Sequence, residues 1–146
     1  MHMKTRFALI LAVALMLSGC HKSGTWSDDS RNWERAFKST KPTDVVVVHS
    51  QYWRSAHFTY EFAYYFHIKK NDALKKQLFD GNKLKQVSGE EASLLFKDFF
   101  DKKPSWFIPN TADSYEVWTI EGESNGHFRL FIDKDSQDIF ITDYQV

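Results

Sequence analysis

The sequence predicts an α+β domain, an antiparallel sheet of about five strands with about three helices packed on one face. Three observations carry this reading. Residues 57–68 alternate large, mainly apolar side chains with mixed ones, the period of a strand. Two segments, starting at Asn71 and Ser88, place a capping residue ahead of apolar residues at helical spacing. The last third holds three β-prone runs separated by turns rich in Gly, Asn, Asp and Ser. With 146 residues, 42% hydrophobic and 16% aromatic, the chain has material for one core and falls outside disordered compositions.

The first element is an export segment rather than part of the domain. Lys4 and Arg6 give a positive start, residues 7–17 (FALILAVALML) are uninterruptedly apolar, and Leu17, Ser18, Gly19 and Cys20 close the run. That run spans about 17 Å as a helix against a bilayer core of roughly 30 Å, too short for a stable crossing. The L-S-G-C sequence resembles the lipobox of bacterial lipoproteins. The resemblance implies removal of residues 1–19, a diacylglycerol on the Cys20 thiol and acylation of the freed amine. Two or three acyl chains at about 0.8 kcal/mol per buried methylene hold a protein firmly on a membrane. His21 rather than Asp after Cys20 implies, within the same resemblance, transport to the outer membrane. Cys20 is the only cysteine, so the exported domain is expected to hold together by packing without a disulfide.

Residues 20–27 read as the lipidated cysteine and a polar tether, and residues 28–146 as a single globular domain. A first helix is expected from a cap at Asp28 or Ser30, with Trp33 and Phe37 on one face, ending before Lys41-Pro42. Residues 45–48 are four valines, a buried strand. After a connection at residues 51–54 comes the long alternating strand. A short helix follows, capped by Asn71 or Asp72 and stopped by Gly81 in the left-handed conformation. In the next helix, Ser88 and Glu91 suggest a capping box, and Ala92, Leu95, Phe96 and Phe99 its apolar stripe. Residues 104–109 lie between two prolines, an apolar loop and no central strand. Strands at residues 115–120, 127–132 and 138–143 complete an α-β-β-α-α-β-β-β order, the last three pairing as hairpins.

Chemistry is sparsely signalled. The histidines at 49, 57, 67 and 127, with Glu61, are the one group that suggests a metal or acid-base site. Along one strand His57 and Glu61 stand about 13 Å apart at 3.3 Å per residue, so ligands would have to converge from neighbouring strands. Residues 133–138 alternate acids like a calcium loop but carry Asp138 where glycine belongs and Tyr144 where the closing Glu belongs, and so read as a polar turn. No nucleophile elbow or phosphate-binding loop is present, and neither metal nor cofactor is expected. Nineteen Lys+Arg against nineteen Asp+Glu, tipping acidic once Lys4 and Arg6 leave with the export segment, gives no nucleic-acid footprint.

Aromatic and Arg residues concentrate in two places, Tyr52-Trp53-Arg54 before the long strand and Trp106-Phe107 between the prolines. Trp, Tyr and Arg dominate interface hot spots, so these five are the candidate partner contacts. The expected function is a lipid-anchored, periplasm-facing module that binds another protein, without enzymatic activity, similar to small inhibitor or immunity lipoproteins. An envelope assembly or maintenance factor and a hydrolase acting on cell-wall or lipid substrates are the alternatives.

Overall fold

A computed structural model describes residues 23–56, 60–123 and 126–146. Among the described residues the fold is α+β, with one antiparallel sheet and three helices. The elements run β1 (Gly24–Ser27), α1 (Asn32–Phe37), β2 (Val47–Arg54), β3 (Phe62–Ile68), α2 (Asp72–Gly81), β4 (Leu84–Val87), α3 (Gly89–Leu95), a 3₁₀ turn (Ala112–Ser114), β5 (Tyr115–Ile120), β6 (Arg129–Asp133) and β7 (Ile139–Gln145). In space the strands lie in the order β1-β2-β3-β7-β6-β5-β4. The chain thus builds two antiparallel units, β1-β2-β3 and β4-β5-β6-β7, and joins them where β3 meets β7.

Register sorts the side chains into two rows of opposite destination. Ser50, Phe66, Ile141, Leu130, Trp118 and Gln86 align across six strands on one face. His49, His67, Phe140, Phe131, Val117 and Val87 align on the other. On the first face, Phe66, Ile68, Leu130, Ile132, Ile139 and Ile141 pack beneath Trp33 of α1 and Leu74 of α2. Opposite them, Tyr65, Phe131 and Phe140 pack beneath Phe107, Ile108 and the partly buried Phe96 and Phe99. Burial of each large apolar side chain contributes about 1.5–3 kcal/mol, so both layers are substantial.

Several expectations are corrected by this arrangement. The sheet has seven strands because two four-residue edge strands, β1 and β4, join the expected five. The cover lies on both faces, since Ala63, Tyr64, Tyr65 and Phe66 are all buried and β3 therefore has no solvent side. The expected tether ends early: residues 24–27 pair with β2, and Trp26 packs on Tyr52 at 6.1 Å. Strand β2 starts at Val47, after a turn that leaves Val46 exposed, and runs through Arg54, so residues 51–54 are strand and not connection. Helix α1 is shorter than expected, closed by Lys38 in the left-handed region (φ 54°).

The capping expectations divide. Asn71 caps α2, its side-chain oxygen accepting from the Leu74 amide at 2.8 Å. Gly81 ends α2 as its last residue, but the left-handed stop is not used, and the chain leaves through extended Asn82. Ser88 makes no side-chain cap bond, and α3 stops at Leu95, short of Phe99. Gly89, at φ +59°, turns the chain there instead. Residues 133–138 form the expected polar turn, with the Asp133 carboxylate accepting from the Asp135 and Ser136 amides. His57, Phe58 and Thr59, the start of the expected long strand, lie outside the described residues.

Candidate functional site

Alternation along β2 scatters the first candidate cluster. Tyr52 points to the α1 face and is 2% exposed, so it is a core residue with no surface to offer a partner. Trp53 points to the opposite face and lies against Phe100 at 4.7 Å. Arg54 returns to the α1 side and places its guanidinium 4.4 Å from the ring centre of Tyr60. The second cluster divides similarly. Phe107 is fully buried among Tyr65, Phe131 and Phe140, and is therefore core rather than contact. Trp106, half-buried, stacks on His49 at 5.3 Å. Burial removes Tyr52 and Phe107 from the candidate contacts, while Trp53, Arg54 and Trp106 keep partial exposure.

Around Arg54 the fold assembles a surface that the sequence does not announce. Tyr60 is exposed, its ring meets the Arg54 guanidinium, and the Lys38 ammonium lies beyond its hydroxyl. Lys38 donates to the Tyr60 hydroxyl at 2.7 Å, and the hydroxyls of Tyr60 and Tyr52 lie 3.3 Å apart. Burial opposes ionisation of Tyr60, yet the hydrogen bonds from Lys38 and Tyr52 and the charges of Lys38 and Arg54 draw its hydroxyl below the ordinary tyrosine range. Tyr52 moves the other way, raised by burial and by its bond to Tyr60. A second cation-aromatic pair continues the surface: Arg35 lies over Trp26 at 4.6 Å while bonding Asp29 and Asn32. Such pairs are worth about 0.5–1 kcal/mol each when exposed.

What holds this surface is Asn32, buried at the start of α1. Its amide donates to the Trp26 carbonyl at 2.9 Å and to Ser50 Oγ at 3.0 Å, and its oxygen accepts from Arg35. One side chain therefore ties β1, β2 and α1 together. The left-handed turn at Lys38 then aims that ammonium toward Tyr60.

Among the described residues, His49, His67 and His127 do not gather around one point. His49 and His67 are cross-strand partners with ring centres 6.3 Å apart, and His49 lies 3.4 Å from the Asp28 carboxylate. His67 Nε2 meets Asp138 at 2.8 Å, and Asp138 also accepts from Lys69 and from the Lys70 amide. His127 stacks on Tyr144 with ring centres 3.8 Å apart. Burial works against ionisation of Asp138, but its bonds to His67, Lys69 and the Lys70 amide outweigh that and hold the carboxyl below its ordinary value. This pair joins the end of β3 to the start of β7. Among the described residues no three His, Cys, Asp or Glu side chains are placed to hold a metal. Nor is any described helix long and apolar enough to cross a membrane.

No known family, curated protein or solved structure matches this chain.

Proposed function

We propose that this chain is a lipid-anchored protein of the bacterial cell envelope whose domain faces the periplasm and acts by binding another protein. The anchor rests on the L-S-G-C segment and on Cys20 as its only thiol, and His21 favours the outer membrane. The binding reading rests on one observation: exposed Tyr60 carries the Arg54 guanidinium over its ring and the Lys38 ammonium on its hydroxyl, at the end of a well-packed sheet. An aromatic ring with fixed orientation, flanked by Arg, is the composition of an interface hot spot. Inhibition or immunity toward an exported hydrolase or toxin is the mode this build fits best.

Partner recovery from envelope extracts with the lipidated chain is the test. Arg54→Ala and Tyr60→Ala should each weaken capture by about 2 kcal/mol or more, and His67→Gln should leave it unchanged. In parallel, a labelled fatty acid should mark the wild type and not Cys20→Ser. Loss of function confined to His67→Gln would instead favour a hydrolase built on the His67–Asp138 pair. Recovery of an assembly component as the partner would favour the maintenance reading.

A further inference from the structure

Beyond the Tyr60 surface, a cleft of about 670 Å³ opens between α1, α2 and the ends of β3 and β7. That volume lies within the range of small-ligand sites. Its walls are in part aromatic. The rings of Phe62 and Tyr64 are stacked within 6° at 6.0 Å, and Phe37 meets Tyr64 edge-on at 5.4 Å. The fold sets the half-buried Asp143 carboxyl beside Tyr64 in register, and the exposed Glu123 lies at the rim.

Neither carboxyl is there to complete an ion pair with the protein. The only hydrogen bond to the Asp143 side chain comes from the adjacent Tyr144 amide at 2.9 Å, and among the described residues no Lys, Arg or His nitrogen stands within ion-pair distance of it. Glu123 curls over Gly126, where a β-carbon would stand 2.4 Å from its Oε2, so the missing side chain at 126 is what lets that carboxylate lie in place. Tyr64 lies beside Asp143 on the same face, and Glu123, His127, Arg129 and Tyr144 are the other titratable groups whose charge reaches it, Tyr144 and Arg129 standing on the opposite face of the sheet by register. Burial pushes the Asp143 carboxyl up to about 6 and Glu123 adds to the rise, against the Tyr144 amide, His127 and Arg129. A partly buried anion with aromatic walls has a definite complement.

We propose that this cleft binds a primary alkylammonium group, its methylenes against Phe37, Phe62 and Tyr64 and its charge on the Asp143 carboxylate. An ammonium brings the opposite charge and three N–H donors, and its positive charge is attracted to ring faces. An anionic ligand is repelled by Asp143 and Glu123, and a neutral one would desolvate Asp143 further without compensation. The ammonium can belong to a free amine or to a lysine side chain of a polypeptide. This inference goes beyond the binding surface at Arg54 and Tyr60, and each can fail while the other stands.

The test is a titration of the full chain in detergent micelles, following the Asp143 carboxyl carbon and nearby amides by NMR. Probes are n-butylammonium chloride, n-butanol and N-acetyl-lysine methylamide. Near pH 7.5, butylammonium should give saturable shifts and n-butanol none, with affinity at least about tenfold weaker near pH 5 and in Asp143→Asn. Saturating butylammonium should also lower the Asp143 titration midpoint in the wild type, a readout that needs no variant and stands even if Asp143→Asn fails to fold. Tenfold tighter binding of the lysine derivative assigns the ammonium to a polypeptide, and equal binding assigns it to a free amine. Equal response to butanol and butylammonium, or an unmoved Asp143 midpoint, would overturn the proposal.

Discussion

The two faces of the sheet are closed by different means. Over the face that carries Ile68, Leu130, Ile139 and Ile141, helices α1 and α2 lay Trp33 and Leu74 on a largely aliphatic floor. On the other face α3 buries no residue fully, and the seal is irregular chain around residues 96–108 whose aromatic rings stand on edge. Phe96 and Phe107 each meet Phe131 at 90°, and Phe107 meets Phe140 at 85°. Edge-to-face pairs at 4.5–7 Å add about 0.5–1.5 kcal/mol beyond burial, which lets a loop do a helix's work. The helix-covered face is also the one that stays open at an end, leaving Tyr60 exposed and the Asp143 cleft unfilled. Strong packing and available surface therefore occupy the same face, separated along the strands.

The largest effects should come from breaking either seal. Phe66→Ala beneath the helices and Phe107→Ala in the loop should each cost about 3–5 kcal/mol in urea denaturation, because both side chains are fully buried. A cost below about 1 kcal/mol for Phe107→Ala would mean that the loop is decoration and that the sheet has one working core. Asn32→Ala comes next, at about 1–3 kcal/mol, since it strands the Trp26 carbonyl and Ser50 hydroxyl beside a buried site. That variant should also loosen β1, seen as faster amide exchange at residues 24–27.

Asp143→Asn should act in the opposite direction and more weakly. With the folded carboxyl raised to about 6 from an ordinary 3.8, the folded state holds the proton more tightly, so this contribution is fully present below about pH 4 and is lost as pH rises through 6. Ionised Asp143 thus costs stability at neutral pH. After allowance for its partial exposure, Asn should stabilise by about 1 kcal/mol near pH 7.5 and be neutral near pH 4. Stabilisation equal at both pH values would show that the effect is packing and not charge.

Legibility in the sequence followed the same division. The alternation at Phe62, Tyr64, Phe66 and Ile68 marks the helix-covered face plainly, and Asn71 marks the start of α2. The loop-covered face was hidden because Tyr65 and His67, read as the mixed side of a strand, become buried and half-buried positions only when Phe107 and Trp106 fold over them. Strands β1 and β4 are four residues each and contain Thr25, Ser27, Lys85 and Gln86, too few and too polar for a period to show. At the candidate site, Arg54 stands out by its aromatic neighbours. Its companions do not: Lys38 is 22 residues from Tyr60 in sequence, and the alternation placed Tyr60 in the core row. Asp143 looks like an ordinary strand end until Phe37 of α1 and Leu78 of α2 form a cleft beside it.

Whether Tyr60 meets a partner can be asked in living cells. With p-benzoylphenylalanine placed at Tyr60 in one lipidated chain and at Leu94 in another, ultraviolet light compares the open end of the helix-covered face with a more accessible position on α3, Leu94 being 61% exposed against 39% for Tyr60. A discrete protein adduct at position 60 and none at position 94 is the predicted result. No adduct at either position, or the same adducts at both, would contradict a binding module that uses this surface.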